Sequence, residues 1–271
     1  MEPEYPLGHA ESELQRLAVQ ARYWSEATRE LLERAGVSAG MHVVDIGCGP
    51  GDVSFLAATL AGPSGSVLGI DRSPDAIATA TGRASAAGIT GIRFQVAELE
   101  TVVLEQPYDA LVGRFVLMYL PDPGGVVRRL CQWVRPGGVV AFLDMDMVAA
   151  RPVPTVPLAE TVLDWLRETF RRAKVPLDLG PQLWRVFRSA GLAAPELIAR
   201  SKVEAAPAAA TALYLTETVR SLVPMMERLG VVSSSEVDID RLAARLSDAL
   251  VAHDATLLPP SVVGAWSRLS V

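Results

Sequence analysis

Val43-Val44-Asp45-Ile46-Gly47-Cys48-Gly49-Pro50-Gly51-Asp52 is the stretch that decides the fold of this chain. Its apolar residues predict a buried strand that ends in a glycine-rich turn, and helical spacing begins directly after the turn. Such an arrangement exposes backbone N–H groups at the carboxyl end of a strand, where open α/β sheets bind nucleotide-like ligands. The stretch therefore predicts an α/β fold with a ligand site at the turn.

The spacing of the glycines indicates the kind of ligand. A dinucleotide-binding turn has the pattern G-x-G-x-x-G, and counting from Gly47 its third glycine would fall at Asp52. The turn instead has the pattern G-x-G-x-G, with Asp45 before it and no Lys-Ser or Lys-Thr pair after it. This argues against both a pyrophosphate cradle and a Walker A loop. A nucleoside that carries an amino acid and no phosphate fits the pattern.

Strand and helix patterns alternate along the first half of the chain. Strands are predicted over residues 42–46, 66–70, 92–96, 108–112 and 139–144. Strands that alternate with helices imply right-handed crossovers and a parallel sheet. Later strands over 196–203 and 257–269 complete the prediction of an α/β fold with a Rossmann-like, doubly wound, mostly parallel seven-stranded sheet.

The remaining segments predict helices around this sheet. Helical spacing over 11–35 predicts one long N-terminal helix or two shorter ones. Prolines at 152, 154 and 157 indicate a stiff connector, and helical spacing returns from 207 to 252. A helical insertion before the last strand can close over a ligand as a lid. We expect an N-terminal helical cap, a core in two segments and a lid, over residues 1–36, 37–204 with 256–271, and 205–255.

Composition limits the compartment and the partners. The chain has 25 Lys and Arg against 31 Asp and Glu, for a formal net charge of −6, which gives no reason to expect nucleic acid as a partner. Two cysteines do not resemble a disulfide framework, so a reducing cytoplasm is the simplest setting. The first six residues lack the pattern of a secretory signal, and no apolar run approaches the roughly 20 residues of a membrane span. We expect a cytoplasmic protein without membrane partner or metal, and allow for a homodimer.

Two acidic residues follow the second and third strands. Asp71 stands twenty residues beyond Gly51, where a carboxylate can accept both hydroxyls of a ribose; the alternative is an ordinary turn or helix-capping aspartate. Glu98 stands where a carboxylate could accept a hydrogen bond from an adenine amino group. The alternative for Glu98 is a solvated loop residue.

With these residues the chain resembles the class I S-adenosylmethionine-dependent methyltransferases. The resemblance extends over roughly residues 40 to 145, in the order of the family. It rests on segments 45–51, 69–73, 94–98, 108–114, 117–123 and 135–138. The family's usual aspartate after the third strand is replaced by Glu98, a longer side chain.

The resemblance implies S-adenosylmethionine as the cofactor. The loop of Gly47, Cys48, Gly49 and Gly51 would pass close to its methionine part and ribose, with Asp45 ordering the amino group directly or through water.

The same resemblance assigns the rest of the cofactor. Asp71 would hold the ribose hydroxyls, Arg72 would cover the adenine, and Glu98 with the backbone of Leu99 would contact the adenine edge. Arg114, after the fourth strand, would contact the amino or carboxylate end, or else form a salt bridge with acids of the sheet.

The amino-terminal segment 8–17 resembles the leading helix of small-molecule methyltransferases, which can fold over the cofactor. Arg16 and Gln20 lie four residues apart on one helical face, so they could reach the cofactor carboxylate together. As plain surface residues they would need no special role.

Methyl transfer makes modest demands on the protein. The sulfonium makes the methyl group electrophilic, so the enzyme chiefly aligns a nucleophile and excludes water. A base is needed only if the nucleophile must lose a proton. The candidates are His9, His253, Asp144 and Asp146, although the histidines fit a surface role and the aspartates a loop-capping role as well.

The sequence thus favours a methyltransferase that acts on a small, partly apolar acceptor, such as a secondary metabolite. The first alternative is a protein that binds the cofactor without methylating. The second is an enzyme that uses bound S-adenosylmethionine for a different reaction.

Overall fold

The computed structural model describes residues 11–270, with side chains from residue 16 onward. The strands are β1 His42–Ile46, β2 Ser66–Asp71, β3 Ile92–Val96, β4 Tyr108–Arg114, β5 Val134–Asp146, β6 Arg151–Val153, β7 Glu196–Arg200, β8 Glu204–Ala205, β9 Thr256–Leu258 and β10 Ser261–Arg268. The helices are α1 Glu11–Ala35, α2 Asp52–Ala61, α3 Pro74–Ala86, α4 Pro123–Leu130, α5 Pro157–Arg172, α6 Leu179–Ser189, α7 Ala209–Arg228, α8 Ser234–Val237 and α9 Ile239–Ala252.

The apolar residues before the glycine turn form β1, an inner strand of a seven-stranded sheet with the order β3-β2-β1-β4-β5-β10-β7. Val43 pairs in parallel with Val67 of β2 on one side and with Ala110 of β4 on the other. Val43, Val44 and Ile46 are fully buried, as expected for a parallel strand covered on both faces. The predicted Rossmann-like, mostly parallel sheet is confirmed.

The parallel register places the functional segments at one edge of this sheet. Because β1, β2 and β4 run in the same direction, their carboxyl ends meet there. The glycine turn follows β1, Asp71 ends β2, and Arg114 ends β4.

Local signals in the sequence fix the start of α3. Ser73 is the N-cap: the backbone N–H of Ala76 donates to Ser73 Oγ at 3.2 Å. Pro74 takes the first helical position, where its missing N–H costs nothing. A serine followed directly by a proline is a helix-start signal that the sequence itself carries.

The predicted single strand over 257–269 is wrong. It is two strands, β9 and β10, which belong to different sheets. Pro259 and Pro260 separate them, and because proline has no N–H to donate, it interrupts a strand ladder. β9 instead pairs antiparallel with β6 and β8 in a three-stranded sheet. Pro152, expected in a connector, lies in the edge strand β6, where proline is tolerated.

The chain divides into two compact units. The first, here called the helical unit, comprises residues 11–24 with Met145–Asp178 and Arg200–Val262. The second, the sheet unit, comprises Ser25–Asp144, Leu179–Ala199 and residues 263–270. The division into cap, core and lid stays a prediction. No helix among residues 11–270 is both long and apolar enough to cross a bilayer.

Candidate functional site

The glycine turn is held in a conformation that side chains oppose. Gly47, Gly49 and Gly51 have φ of 62°, 51° and 92°, in the left-handed region that glycine adopts at no steric cost. A Cβ atom on Gly47 would overlap the Val116 side chain, because it would lie 2.7 Å from the Cβ atom of Val116. A Cβ on Gly49 would meet no atom within 4 Å in the described structure. The turn therefore has open space over Gly49, as close approach of a ligand to the backbone requires.

Asp71 connects the end of β2 to this turn. The backbone N–H of Gly49 donates to Asp71 Oδ2 at 2.9 Å, and that of Ser73 donates to Oδ1 at 2.9 Å. An ionised carboxylate has about four acceptor positions, so each oxygen can accept a further hydrogen bond. The carboxylate is partly exposed, and it fits a pair of ribose hydroxyls.

Asp45 is a fully buried carboxyl group directly before the turn. Ser54 Oγ donates to Asp45 Oδ2 at 2.5 Å, whereas Oδ1 has no hydrogen-bond partner among the residues described. Burial raises the pKa of Asp45 to about 7; the Ser54 hydrogen bond and the charge of Arg114 lower it, and the charges of Asp71 and Asp52 raise it. A donor group such as an ammonium would satisfy Oδ1 and favour the ionised form.

Arg114 ends β4 and is held by α1. Its Nη1 donates to Thr28 Oγ1 at 3.0 Å, and its guanidinium carbon lies 5.7 Å from the centre of the Phe115 ring. Its charge also acts on Asp45. A contact with the cofactor stays a prediction for Arg114.

The residues expected around the adenine follow β2 and β3. Arg72 and Glu98 are exposed, whereas Leu99 is buried. The carbonyl oxygens of Leu99 and Val102 both accept hydrogen bonds from Arg129, which fixes the backbone of this turn. The adenine contacts stay predictions.

The two cysteines are free thiols. Cys48 lies buried in the glycine turn, and its thiol donates to the carbonyl of Gly49 at 3.6 Å. Burial raises the pKa of Cys48 above its usual value, and the charges of Asp45 and Asp71 raise it further. Burial also raises the pKa of Cys131, to about 12. Since the thiolate is the nucleophilic form, Cys48 contributes backbone and packing to the turn rather than a nucleophile.

Several predicted residues belong to the helical unit. Arg16 and Gln20 on α1 are 3% and 6% exposed, so their description as plain surface residues is wrong. Asp146 accepts a hydrogen bond from the backbone N–H of Val148 at 2.9 Å. His253 is exposed at the end of α9, with Nδ1 2.8 Å from the carbonyl oxygen of Ala249. Their functional roles stay predictions.

Asp144 and His9 are the two remaining candidate bases. Asp144 belongs to the sheet unit and is fully buried within β5, two residues before the strand ends rather than at its end. His9 lies outside the described residues. Neither role is tested by this geometry.

Sequence reasoning missed three residues that support the site. Ser54 is the hydrogen-bond partner of the buried Asp45, Thr28 holds Arg114, and Val116 packs over Gly47. Ser54 has a signal in the sequence, since it is a small polar residue among apolar ones in α2. Thr28 has none, because it lies 86 positions from Arg114.

Known proteins resemble this chain in sequence. A family model described as a methyltransferase domain matches residues 37–183. A trans-aconitate 2-methyltransferase of Methylobacterium nodulans is 34% identical over 123 residues, which cover 44% of this chain and 45% of that protein. Aklanonic acid methyltransferase DauC of Streptomyces sp. strain C5 is 30% identical over 163 residues, 58% of this chain and 73% of that protein.

A solved structure shares the fold. Phosphoethanolamine N-methyltransferase 2 of Haemonchus contortus, in complex with S-adenosyl-L-methionine, matches with a TM-score of 0.57 at 18% identity, over 91% of this chain and 53% of that chain. The chain spans about half the length of the trans-aconitate methyltransferases it matches. The methyltransferase model covers more than half of the chain, and its site has the glycine turn and the two carboxylates described above. The chain belongs to the class I S-adenosylmethionine-dependent methyltransferases.

Proposed function

We propose that the protein binds S-adenosylmethionine in the sheet unit and transfers its methyl group to a small-molecule acceptor. One observation carries the proposal: the open turn at Gly49 is bonded to Asp71, a carboxylate with spare acceptor positions, and directly follows the strand of Asp45. The buried Asp45 Oδ1 has no partner in the described structure. A ribose and an amino-acid ammonium are the groups that these two carboxylates accept. Both groups occur in S-adenosylmethionine.

Each residue of the site has a defined task in this proposal. The cofactor, when bound, supplies an electrophilic methyl group, so no strong acid or base is needed to activate it. Asp71 accepts the ribose hydroxyls while it keeps the backbone of Gly49 and Ser73 in place. Asp45 accepts the ammonium, and Gly47 and Gly51 give the turn the backbone conformation that brings its amides to the ligand.

The acceptor is proposed to be a small, partly apolar molecule of secondary metabolism. The relatives named for trans-aconitate and aklanonic acid act on small molecules, and the net charge of −6 disfavours nucleic acid. His9, Asp144, Asp146 and His253 are the proposed bases for an acceptor that must lose a proton. We also propose a cytoplasmic location. A homodimer is the proposed assembly to be tested, and the mass of the protein in solution tests it.

Replacement of Asp71 tests the cofactor site. Hydrogen bonds to a charged group contribute about 1.5–3 kcal/mol, so Asp71→Ala is expected to weaken binding of S-adenosylhomocysteine by about 10- to 150-fold in calorimetry. Asp75→Ala is the matched control, because Asp75 is an exposed carboxylate in the first turn of α3. Equal affinity of the two variants, both folded by circular dichroism, would exclude the ribose assignment.

Product analysis separates transfer from the two alternatives. The purified protein is incubated with S-adenosylmethionine and pools of small hydroxylated and amino compounds, and S-adenosylhomocysteine is quantified. Its formation in proportion to a methylated product supports transfer. Cofactor binding without S-adenosylhomocysteine from any pool indicates a non-methylating protein, and acceptor turnover without cofactor consumption indicates a different reaction.

A further inference from the structure

The middle of α7 in the helical unit is buried on all sides, although it carries polar residues. Residues 214–219 are each at most 8% exposed. A surface helix normally buries one apolar stripe and leaves its polar residues in water. Here Thr216, Glu217 and Thr218 are buried with their apolar neighbours, so their polar atoms need partners.

Some polar atoms of α7 have partners on α7 itself or on α9. Thr218 Oγ1 donates to the carbonyl of Tyr214 at 2.8 Å. Arg220 Nε donates to Glu217 Oε1 at 3.3 Å, and Arg220 Nη1 donates to Asp240 at 3.0 Å. Glu217 Oε2 and Thr216 Oγ1 are buried and have no hydrogen-bond partner among residues 16–270. A buried carboxylate oxygen without a partner is costly, and such groups occur where a ligand supplies the partner.

The charges around Glu217 favour a donor over an acceptor. Arg220 stands between two carboxylates, Glu217 at 4% side-chain exposure and Asp240 at 87%. The three groups together have a net charge of −1, and Glu217 is the buried one of the two carboxylates. This surplus attracts an ammonium or a hydroxyl and repels a carboxylate.

The neighbouring residues are aromatic. Tyr214 lies three positions before Glu217, on the adjoining side of the helix. Its ring stacks on Tyr23 with the centres 4.6 Å apart and the planes 8° from parallel, and Trp24 meets it edge-on. These packed rings make the buried environment one helical turn before Glu217 apolar and aromatic.

We infer that Glu217 Oε2, with Thr216 Oγ1, forms a binding site within the helical unit for a hydrogen-bond-donating group, an ammonium or a hydroxyl, on an apolar or aromatic small molecule. The inference concerns the helical unit alone and goes beyond the proposed function. It excludes a ligand whose carboxylate would lie against Glu217.

Three probes with one aromatic body test the inference. Binding of 2-naphthylmethylamine, 2-naphthalenemethanol and 2-naphthoate is measured by their fluorescence in the presence of saturating S-adenosylhomocysteine. The wild-type protein is expected to bind the amine or the alcohol at least tenfold more tightly than the carboxylate. Glu217→Gln, which keeps the shape and removes the charge, is expected to reduce this ratio at least tenfold. An equal ratio in both proteins, or a preference of the wild type for 2-naphthoate, would overturn the inference.

Two further variants keep the result interpretable. Asp248→Asn removes an exposed carboxylate of the same unit and is expected to leave the ratio unchanged. Glu217→Asp keeps the charge and is expected to retain the preference order, whereas a purely structural role would make it as damaging as Glu217→Gln. S-adenosylhomocysteine affinity, measured separately, is expected to be the same in all four proteins. If none of the proteins binds S-adenosylhomocysteine, the proposed cofactor site is contradicted, and the ratio of probe affinities remains an independent result.

Discussion

Gly47 and Gly49 both adopt positive φ, yet their surroundings differ. The left-handed conformation costs a non-glycine residue about 1–2 kcal/mol, and overpacking adds about 1–3 kcal/mol. Gly47→Ala also overlaps Val116, whereas Gly49→Ala meets open space. We expect urea denaturation to show a loss of about 2–5 kcal/mol in unfolding free energy for Gly47→Ala and about 1–2 kcal/mol for Gly49→Ala.

A second substitution isolates the packing part of this difference. In a Val116→Ala background, Gly47→Ala is expected to cost little more than Gly49→Ala, because the overlapping methyl groups are gone. Losses that are equal at the two glycines in the wild-type background would show that packing on Val116 contributes nothing.

The buried carboxyl group of Asp45 predicts a pH dependence of stability. Burial raises its pKa from 3.8 to about 7, so between these pH values the folded protein holds a proton that the unfolded chain has released. The contribution of Asp45 to the unfolding free energy therefore falls as the pH rises from about 4 to about 7, by up to about 4 kcal/mol. Above about pH 7 this contribution no longer changes with pH. In the Asp45→Asn variant, this decrease of the unfolding free energy with pH is expected to be absent.

Urea denaturation from pH 5 to pH 8 checks the sign of this dependence. The stability of Asp45→Asn relative to the wild type should increase as the pH rises through this range. Because every other titrating group is common to both proteins, a constant difference would mean that Asp45 does not hold the proton.

At the scale of elements, a buried hydrogen bond joins α1 to α7 within the helical unit. Tyr23 and Thr211 have their hydroxyl oxygens 2.6 Å apart, and burial raises the pKa of Tyr23 above its usual value, so the phenol stays protonated. Tyr23→Phe and Thr211→Val are each expected to lower the unfolding free energy, with a coupling of about 1 kcal/mol between them. Additive losses in the double-mutant cycle would show that the hydrogen bond does not stabilise the protein.

The elements also differ in how far the sequence could predict them. The start of α3 depends on two adjacent residues, Ser73 and Pro74, so the sequence alone indicates it. The small sheet depends on pairing between Val153 and Thr256, 103 positions apart, and three-residue strands have no periodicity to detect. It was therefore missed.

For the whole molecule, cofactor binding is expected to raise the stability of the folded state. A ligand that binds only the folded protein adds about 2.7 kcal/mol at one hundred times its dissociation constant. S-adenosylhomocysteine should produce this increase in urea denaturation. NAD at the same concentration should not, since the turn lacks the third glycine of a dinucleotide site. Stabilisation by both nucleotides to the same extent would contradict the specificity assigned to the turn.

The sequence by itself determined the parallel sheet, the glycine turn and the family, because each depends on residues that are close together along the chain. Hydrophobic periodicity, glycine spacing and an acidic residue after a strand act locally and are visible without coordinates. Only the tertiary structure decided which polar groups are paired. The pairing of Ser54 with Asp45, the pairing of Thr28 with Arg114 and the lack of a partner for Glu217 Oε2 among residues 16–270 depend on burial and on contacts between distant segments. The cost of a buried polar group arises only once the chain has folded around it.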